Sequence, residues 1–182
     1  MSMYHFVFSA LAIIALNACS KSDKACKDEA AKKFEAEVNM ENDHINIENT
    51  KKYSNAHSGD YYSSVDSVQT YGAGYVKTIA DSLKGYNLTV YVTGWLREKE
   101  APFEGSIAVS MNDGGNVLDW KCIELKNKPY KAGEWIMVKD SFNYPPNLFN
   151  RKDVQHKVFS FKRQGADALD ADDIHITYKF YK

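Results

Sequence analysis

Residues 87–97 alternate between two kinds of side chain: Leu88, Val90, Val92 and Leu96 fall on one parity, and Thr89, Tyr91, Thr93 and Trp95 on the other. Successive side chains of a β-strand point to opposite faces, so this pattern predicts a strand with one face in a core and the other toward water. Residues 174–181 repeat it, with Ile174, Ile176, Tyr178 and Phe180 reading inward and His175, Thr177, Lys179 and Tyr181 outward. Apolar faces of this kind need a second layer to cover them, as two packed sheets provide. Runs at 61–68, 75–79, 105–111, 117–125, 134–142 and 154–161 read as further strands. The connectors carry turn residues: Asn112-Asp113-Gly114-Gly115-Asn116 predicts a hairpin, Lys131-Ala132-Gly133 precedes a strand, and Tyr144-Pro145-Pro146-Asn147 opens a loop. Many short strands with such connectors predict an all-β fold, a two-sheet antiparallel sandwich.

The first residues obey a different rule. Residues 6–16 are apolar and uncharged over eleven positions, a length that suits the core of a signal peptide and falls short of the ~20 residues of a membrane-spanning helix. They run into Leu16-Asn17-Ala18-Cys19, which resembles the lipobox of bacterial lipoproteins. The resemblance implies cleavage after Ala18 and a lipid anchor on Cys19. Acyl chains on one cysteine suffice to hold a soluble domain at a membrane, each buried methylene contributing about 0.8 kcal/mol. Residues 1–18 are therefore expected to be a signal peptide, 19–33 a polar tether and 34–182 the folded domain. Within and after the tether, a helical stretch is predicted over 23–33 and a first strand over 34–40. Ser20 is not the Asp that retains lipoproteins in the inner membrane, which implies the outer membrane. Lys27-Asp28-Glu29 resembles acidic surface-export tags, and the membrane face stays open.

The formal net charge is −1, unchanged by loss of residues 1–18, which hold no Lys, Arg, Asp or Glu. Near-neutral balance speaks against nucleic acid, whose binding needs a basic face to displace counterions. With Cys19 given to lipid, Cys26 and Cys122 remain. Export permits a disulfide, but one lies in the polar tether and the other in an apolar strand pattern, so two free thiols are the expectation.

Four segments in order are similar to β-jelly-roll modules of carbohydrate-binding proteins and secreted lipoproteins of Bacteroidetes-type bacteria. These are Ala56-His57-Ser58-Gly59-Asp60-Tyr61-Tyr62-Ser63, residues 88–95, Ala132-Gly133-Glu134-Trp135-Ile136-Met137-Val138 and Asp172-Asp173-Ile174-His175-Ile176. The resemblance covers 34–182 and implies a jelly roll, while leaving function open. It implies sugar binding through aromatic faces with a few polar partners: Trp95, Trp120, Tyr91 and Tyr144 as platform candidates, and Arg97, Asn112 and Asp119 as partners. For the tryptophans core packing is the competing reading, with Trp135 in a core position and Trp95 between the sheets. Modules of this kind also often carry structural calcium, a hard cation taking six to eight oxygens. Glu48, Asp60, Asp172, Asp173 and the Ser58 carbonyl are its candidate ligands here. The alternative has the two aspartates ending a polar loop while His57 hydrogen-bonds locally.

No motif for catalysis is present: no Glu-x-Asp-x-x-Glu string, no Gly-x-Ser-x-Gly and no His-Glu-x-x-His. His57, His156 and His175 fall in separate elements, His175 on the outward parity of its strand. The expectation is a lipid-anchored, non-catalytic binding protein with glycan as the leading ligand. The competing class is an accessory lipoprotein that presents its sandwich surface to a protein partner.

Overall fold

The computed structural model describes residues 30–38, 41, 50–52, 55–163 and 167–182. The expected signal peptide, Cys19, Cys26 and Glu48 lie outside the described residues. Ten strands follow in chain order: β1 Lys32–Val38, β2 Thr50–Lys52, β3 Tyr61–Val65, β4 Tyr71–Thr78, β5 Asn87–Glu98, β6 Gly105–Asp113, β7 Asn116–Glu124, β8 Ile136–Tyr144, β9 Val154–Lys162 and β10 Leu169–Tyr181. They form two antiparallel sheets. One runs β2-β3-β10-β5-β8, with β1 also paired to β10, and the other runs β4-β9-β6-β7. The order β3-β10-β5-β8 over β4-β9-β6-β7 is a jelly roll: the alternation and the turns predict the two-sheet sandwich, and the resemblance of the four segments implies the jelly roll.

The parity read in the sequence is the parity of the core. Leu88, Val90, Val92 and Leu96 are at most 1% exposed, as are Ile174, Ile176, Tyr178 and Phe180. They meet Ile107, Val109 and Met111 of β6 and Val154 and Val158 of β9 in one cluster. Fully burying such a side chain contributes about 1.5–3 kcal/mol. Gly94 continues the inward parity of β5 because a Cβ there would stand 2.7 Å from Ile107 Cδ1. The β6–β7 hairpin turns through Gly114 and Gly115 at φ 55° and 99°, a left-handed pair that admits glycine far more readily than a branched side chain.

Several boundaries differ from the sequence reading. β1 begins at Lys32, where Lys32 pairs with Phe180 and Lys33 with Lys179, so the end of the stretch predicted helical is strand; residues 23–29 lie outside the described ones. Sheet pairing outweighs a weak local helical preference here. β4 begins at Tyr71 and β10 at Leu169, both before their alternation becomes clear. In β10 the register shifts between Asp172 and His175, with Asp173 at φ 46°, which interrupts the period of two.

Candidate functional site

On β9 one parity, Val154, His156, Val158, Ser160 and Lys162, is buried between the sheets, so the other faces outward. The pairing aligns this outward parity in three rows across the four-stranded sheet. Tyr71, Phe161, Ser106 and Glu124 form one, Gly74, Phe159, Ala108 and Cys122 the next, and Val76, Lys157, Ser110 and Trp120 the third. β6 contributes only small side chains to these rows, and β9 contributes two rings. The floor is therefore low along β6, and the indole of Trp120 leans across it toward β9.

Four rings result, packed edge to face or tilted. Trp120 lies 5.5 Å from Phe159 and 5.3 Å from Phe161, and Tyr71 lies 5.6 and 5.4 Å from the same two rings. Such pairs contribute about 0.5–1.5 kcal/mol each beyond burial. Gly74 allows the approach of β4, because a Cβ there would stand 2.5 Å from both Phe159 Cβ and the Val158 carbonyl oxygen. The Trp120 Nε1–H is directed to Cys122 Sγ at 3.1 Å, which fixes the indole plane. Cys122 is half-buried and unbridged.

Between Trp120, Tyr71 and Val76 opens a cleft of about 440 Å³ whose polar side chains include Ser110, Asn112 and Lys157. Asn112 Nδ2 donates to Ser110 Oγ at 2.8 Å. Tyr71, Val76, Val117 and Trp120, at 55%, 53%, 56% and 38% exposed, are four of the eight exposed large hydrophobics among the described residues. That half of them line one cleft marks it as a contact surface, since scattered single residues are what a surface ordinarily shows.

The outer face of the six-stranded sheet is built differently. There Arg97 is buried, its Nε and Nη2 donating to Asp170 Oδ2 at 3.1 and 2.9 Å and its Nη1 to the Asn55 carbonyl at 2.9 Å. Its guanidinium lies 4.3 Å from the ring of Trp135 and 5.3 Å from that of Tyr62. Trp95 stacks on His57 at 3.8 Å. Trp95 is therefore half-buried outside the sheet, under the loop that carries His57, and not between the sheets. Trp135 likewise covers Arg97 and is no part of the inter-sheet core. Arg97, with Nε, Nη1 and Nη2 all donating within the protein and only 8% of the residue exposed, has no free fork for a ligand.

Of the seven residues expected to bind sugar, the structure brings Trp120 and Asn112 together in the cleft. Tyr91, Trp95 and Arg97 share the opposite outer face. Tyr144 is 1% exposed and presents no face to a ligand, because it lies on the inward parity of β8 with Lys121 Nζ 4.3 Å from its ring. Asp119 sits beside it, paired to Lys121 at 2.9 Å. Alternation on β7 separates Asp119 from Trp120 by one residue and hence by one sheet face.

Three of the expected calcium ligands, Ser58, Asp172 and Asp173, do meet. Asp172 Oδ2 accepts from the backbone N–H of His57 and Ser58 at 3.0 and 3.2 Å, and Asp172 Oδ1 from that of Asp173 at 2.9 Å. Asp173 Oδ1 accepts from the Ser58 hydroxyl at 2.8 Å, and its Oδ2 pairs with His57 Nδ1 at 2.9 Å. Burial pushes the Asp172 carboxyl up to about 6, against the Ser58 N–H and helped by the charge of Asp173. Three of the four carboxylate oxygens thus face groups of the loop at His57 and Ser58, and the fourth faces the Asp173 N–H. The Asp60 N–H donates to Glu41, and no group of three His, Cys, Asp or Glu side chains among the described residues has the spacing of a metal site.

Tyr71, Phe159, Phe161, Ser110 and Lys157 were not singled out in the sequence. One signal was there: residues 154–161 carry apolar residues on both parities, with Phe159 and Phe161 on the outward one.

No family model matches the chain, and no curated protein matches it in sequence. Among solved structures it is similar to the CBM22-2 xylan-binding domain of Paenibacillus barcinonensis Xyn10C, with 14% identity over 79% of this chain and 98% of that one and a TM-score of 0.47. A family 16 carbohydrate-binding module matches at 14% identity over 66% of this chain and 79% of the other, TM-score 0.42. So does the VP2 subviral particle of infectious bursal disease virus, at 10% identity over 85% and 34%, TM-score 0.46. The likeness is one of backbone path.

Proposed function

We propose that this domain binds a glycan in the cleft of the four-stranded sheet and performs no chemistry on it. The observation that carries the reading is the cluster of outward rings, Trp120 and Tyr71 both packed against Phe159, over a floor that includes Ser110 and Asn112. Ring faces stack on the C–H face of a pyranose while a few polar groups orient its hydroxyls. The cleft lining holds no Asp or Glu, so it lacks the pair of carboxylates that hydrolysis of a glycosidic bond ordinarily uses.

Affinity electrophoresis against a broad polysaccharide panel tests this. Wild type is expected to be retarded by at least one polymer, and Trp120→Ala and Tyr71→Ala to lose that retardation. Both rings are part exposed in the free domain, so each substitution is expected to cost well under the ~3–5 kcal/mol of a buried aromatic-to-Ala change. Retention of both variants at wild-type strength, or no retardation of wild type by any polymer, would overturn the reading.

Lipid attachment at Cys19, with residues 1–18 removed and the domain held at the outer membrane, belongs to the same proposal. The apolar run at 6–16 followed by Leu16-Asn17-Ala18-Cys19 supports it. Cys19→Ala is expected to move the protein from the membrane fraction to the soluble one and to abolish fatty-acid labelling. Unchanged partitioning of that variant would count against the anchor.

A further inference from the structure

We propose that the glycan is anionic, and that Lys157 selects it by meeting a carboxylate or sulfate ester borne on the sugar ring. The inference rests on the cleft being the glycan site.

Lys157 stands at the centre of the third outward row, between Val76 of β4 and Ser110 of β6. Two residues further along β9 comes the ring of Phe159. Lys157 is half-buried and lines the cleft, and a lysine so placed ordinarily lays its stem along apolar surface and keeps its ammonium in water. Among the described residues this ammonium has no ion pair, a state it shares with Lys77, Lys139 and Lys179, and it differs from them in lining the cleft. No acid lines the cleft to neutralise it.

A second depression, on the far side of Trp120, shows the contrast. It is lined by Glu104 and Glu124 together with Lys126 and Arg163, so its charges are mixed. The Lys157 side offers a single sign. A charged group beside ring surface gains more from a counter-charge than one in open water, because fewer waters screen the pair. Asn112 donates to Ser110, but the two are only 7% and 1% exposed, so they shape the cleft floor and leave polar recognition of the sugar to Lys157.

The test compares matched polymers on the folded domain by calorimetry. Polygalacturonate, alginate and hyaluronan are each set against their carboxyl-reduced forms, and dextran sulfate against dextran. The variants are wild type, Lys157→Gln and Trp120→Ala, each checked for unchanged near-ultraviolet circular dichroism. Wild type is expected to bind at least one acidic polymer about tenfold or more tightly than its neutral counterpart, as a charge-assisted contact gives. The preference should shrink as salt rises. Lys157→Gln should bring the acidic polymer down to the neutral level, and Trp120→Ala should lose both. Preference for carboxylates or for sulfates tells which anion is meant. Equal binding of acidic and neutral forms, or a preference that survives Lys157→Gln, overturns the role of Lys157 while neutral binding lost in Trp120→Ala keeps the cleft as the glycan site. Acidic binding untouched by Trp120→Ala is general charge attraction and sinks the proposal as well. Binding of no polymer removes the glycan reading and this inference together.

Discussion

Lys162→Met is expected to lower folding stability by about 3–5 kcal/mol, the cost of leaving a buried charge without its partner. Lys162 is on the inward parity of β9 and Glu98 on that of β5, so the pair bridges the two sheets. The ammonium lies 3.3 Å from Glu98 Oε1 and 2.9 Å from Asp167 Oδ1, with both the lysine and the glutamate side chains fully buried. Asp167 Oδ2 in turn accepts from the backbone N–H of Lys99 and Glu100, and Glu98 Oε2 from that of Glu104 at 3.2 Å. One cation therefore ties together two loops at this rim of the sandwich. Burial already pushes the Glu98 carboxyl above its ordinary range, against the attraction of Lys162. A raised carboxyl favours the fold at low pH and penalises it as the pH rises through that value. The deficit of Lys162→Met should then shrink on acidification, where Glu98 takes up a proton. Chemical denaturation at several pH values measures this. The double variant Lys162→Met, Glu98→Leu should be more stable than Lys162→Met alone, because an apolar pair needs no compensation. A double variant less stable than the single would show that the deficit is lost packing and not an orphaned charge.

At the opposite rim, His156 is expected to set the acid limit of the fold. Its imidazole is fully buried and Nδ1 lies 3.1 Å from the Tyr178 hydroxyl, while Nε2 has no hydrogen-bond partner among the described residues. Burial lowers its pKa to about 3, with the positive charge of Lys121 adding to the effect. The fold accepts the neutral ring only. The sign follows from that depression: this contribution to stability is complete above the ordinary pKa of about 6.5 and is lost as the pH falls from there toward 3. Over that window the loss is on the order of several kcal/mol. His156→Gln keeps a polar partner for Tyr178 and carries no proton to gain, so its stability should fall more gently between pH 6.5 and 3. Parallel profiles for wild type and His156→Gln in urea titrations would show that carboxylates elsewhere govern acid unfolding.

How much of this was readable in the chain differs between fold and site. Strand alternation is a local property, and Leu88 through Leu96 and Ile174 through Phe180 reported their buried faces correctly because each strand has only two. Asn116 and the paired glycines before it marked a hairpin for the same local reason. The cleft is not local. Tyr71, Trp120 and Phe159 come from β4, β7 and β9, and only the pairing of those strands in one sheet makes them neighbours. Trp95 and Trp135 illustrate the reverse difficulty. Each reads as core by size and setting, yet the loop carrying Asn55 and His57 folds over the outer face and gives them partners there. Tyr144 and Asp119 failed as ligand candidates because a one-residue change of parity moves a side chain through the sheet.

β10 is the centre of the larger sheet, paired with β5 along one edge and with β3 and β1 along the other, and among the described residues it follows the other nine strands. A nascent polypeptide therefore carries β1, β3 and β5 long before the strand that joins them exists. Until it emerges, three edges stay open and the inner surface of β5 lacks Ile174, Ile176 and Phe180 beside it. Closing the sandwich is necessarily a late and non-local event, slow by the same logic that makes long-range pairing slow in general. On the proposal made above that the protein is exported, such a delay would keep the chain threadable until its last strand had crossed.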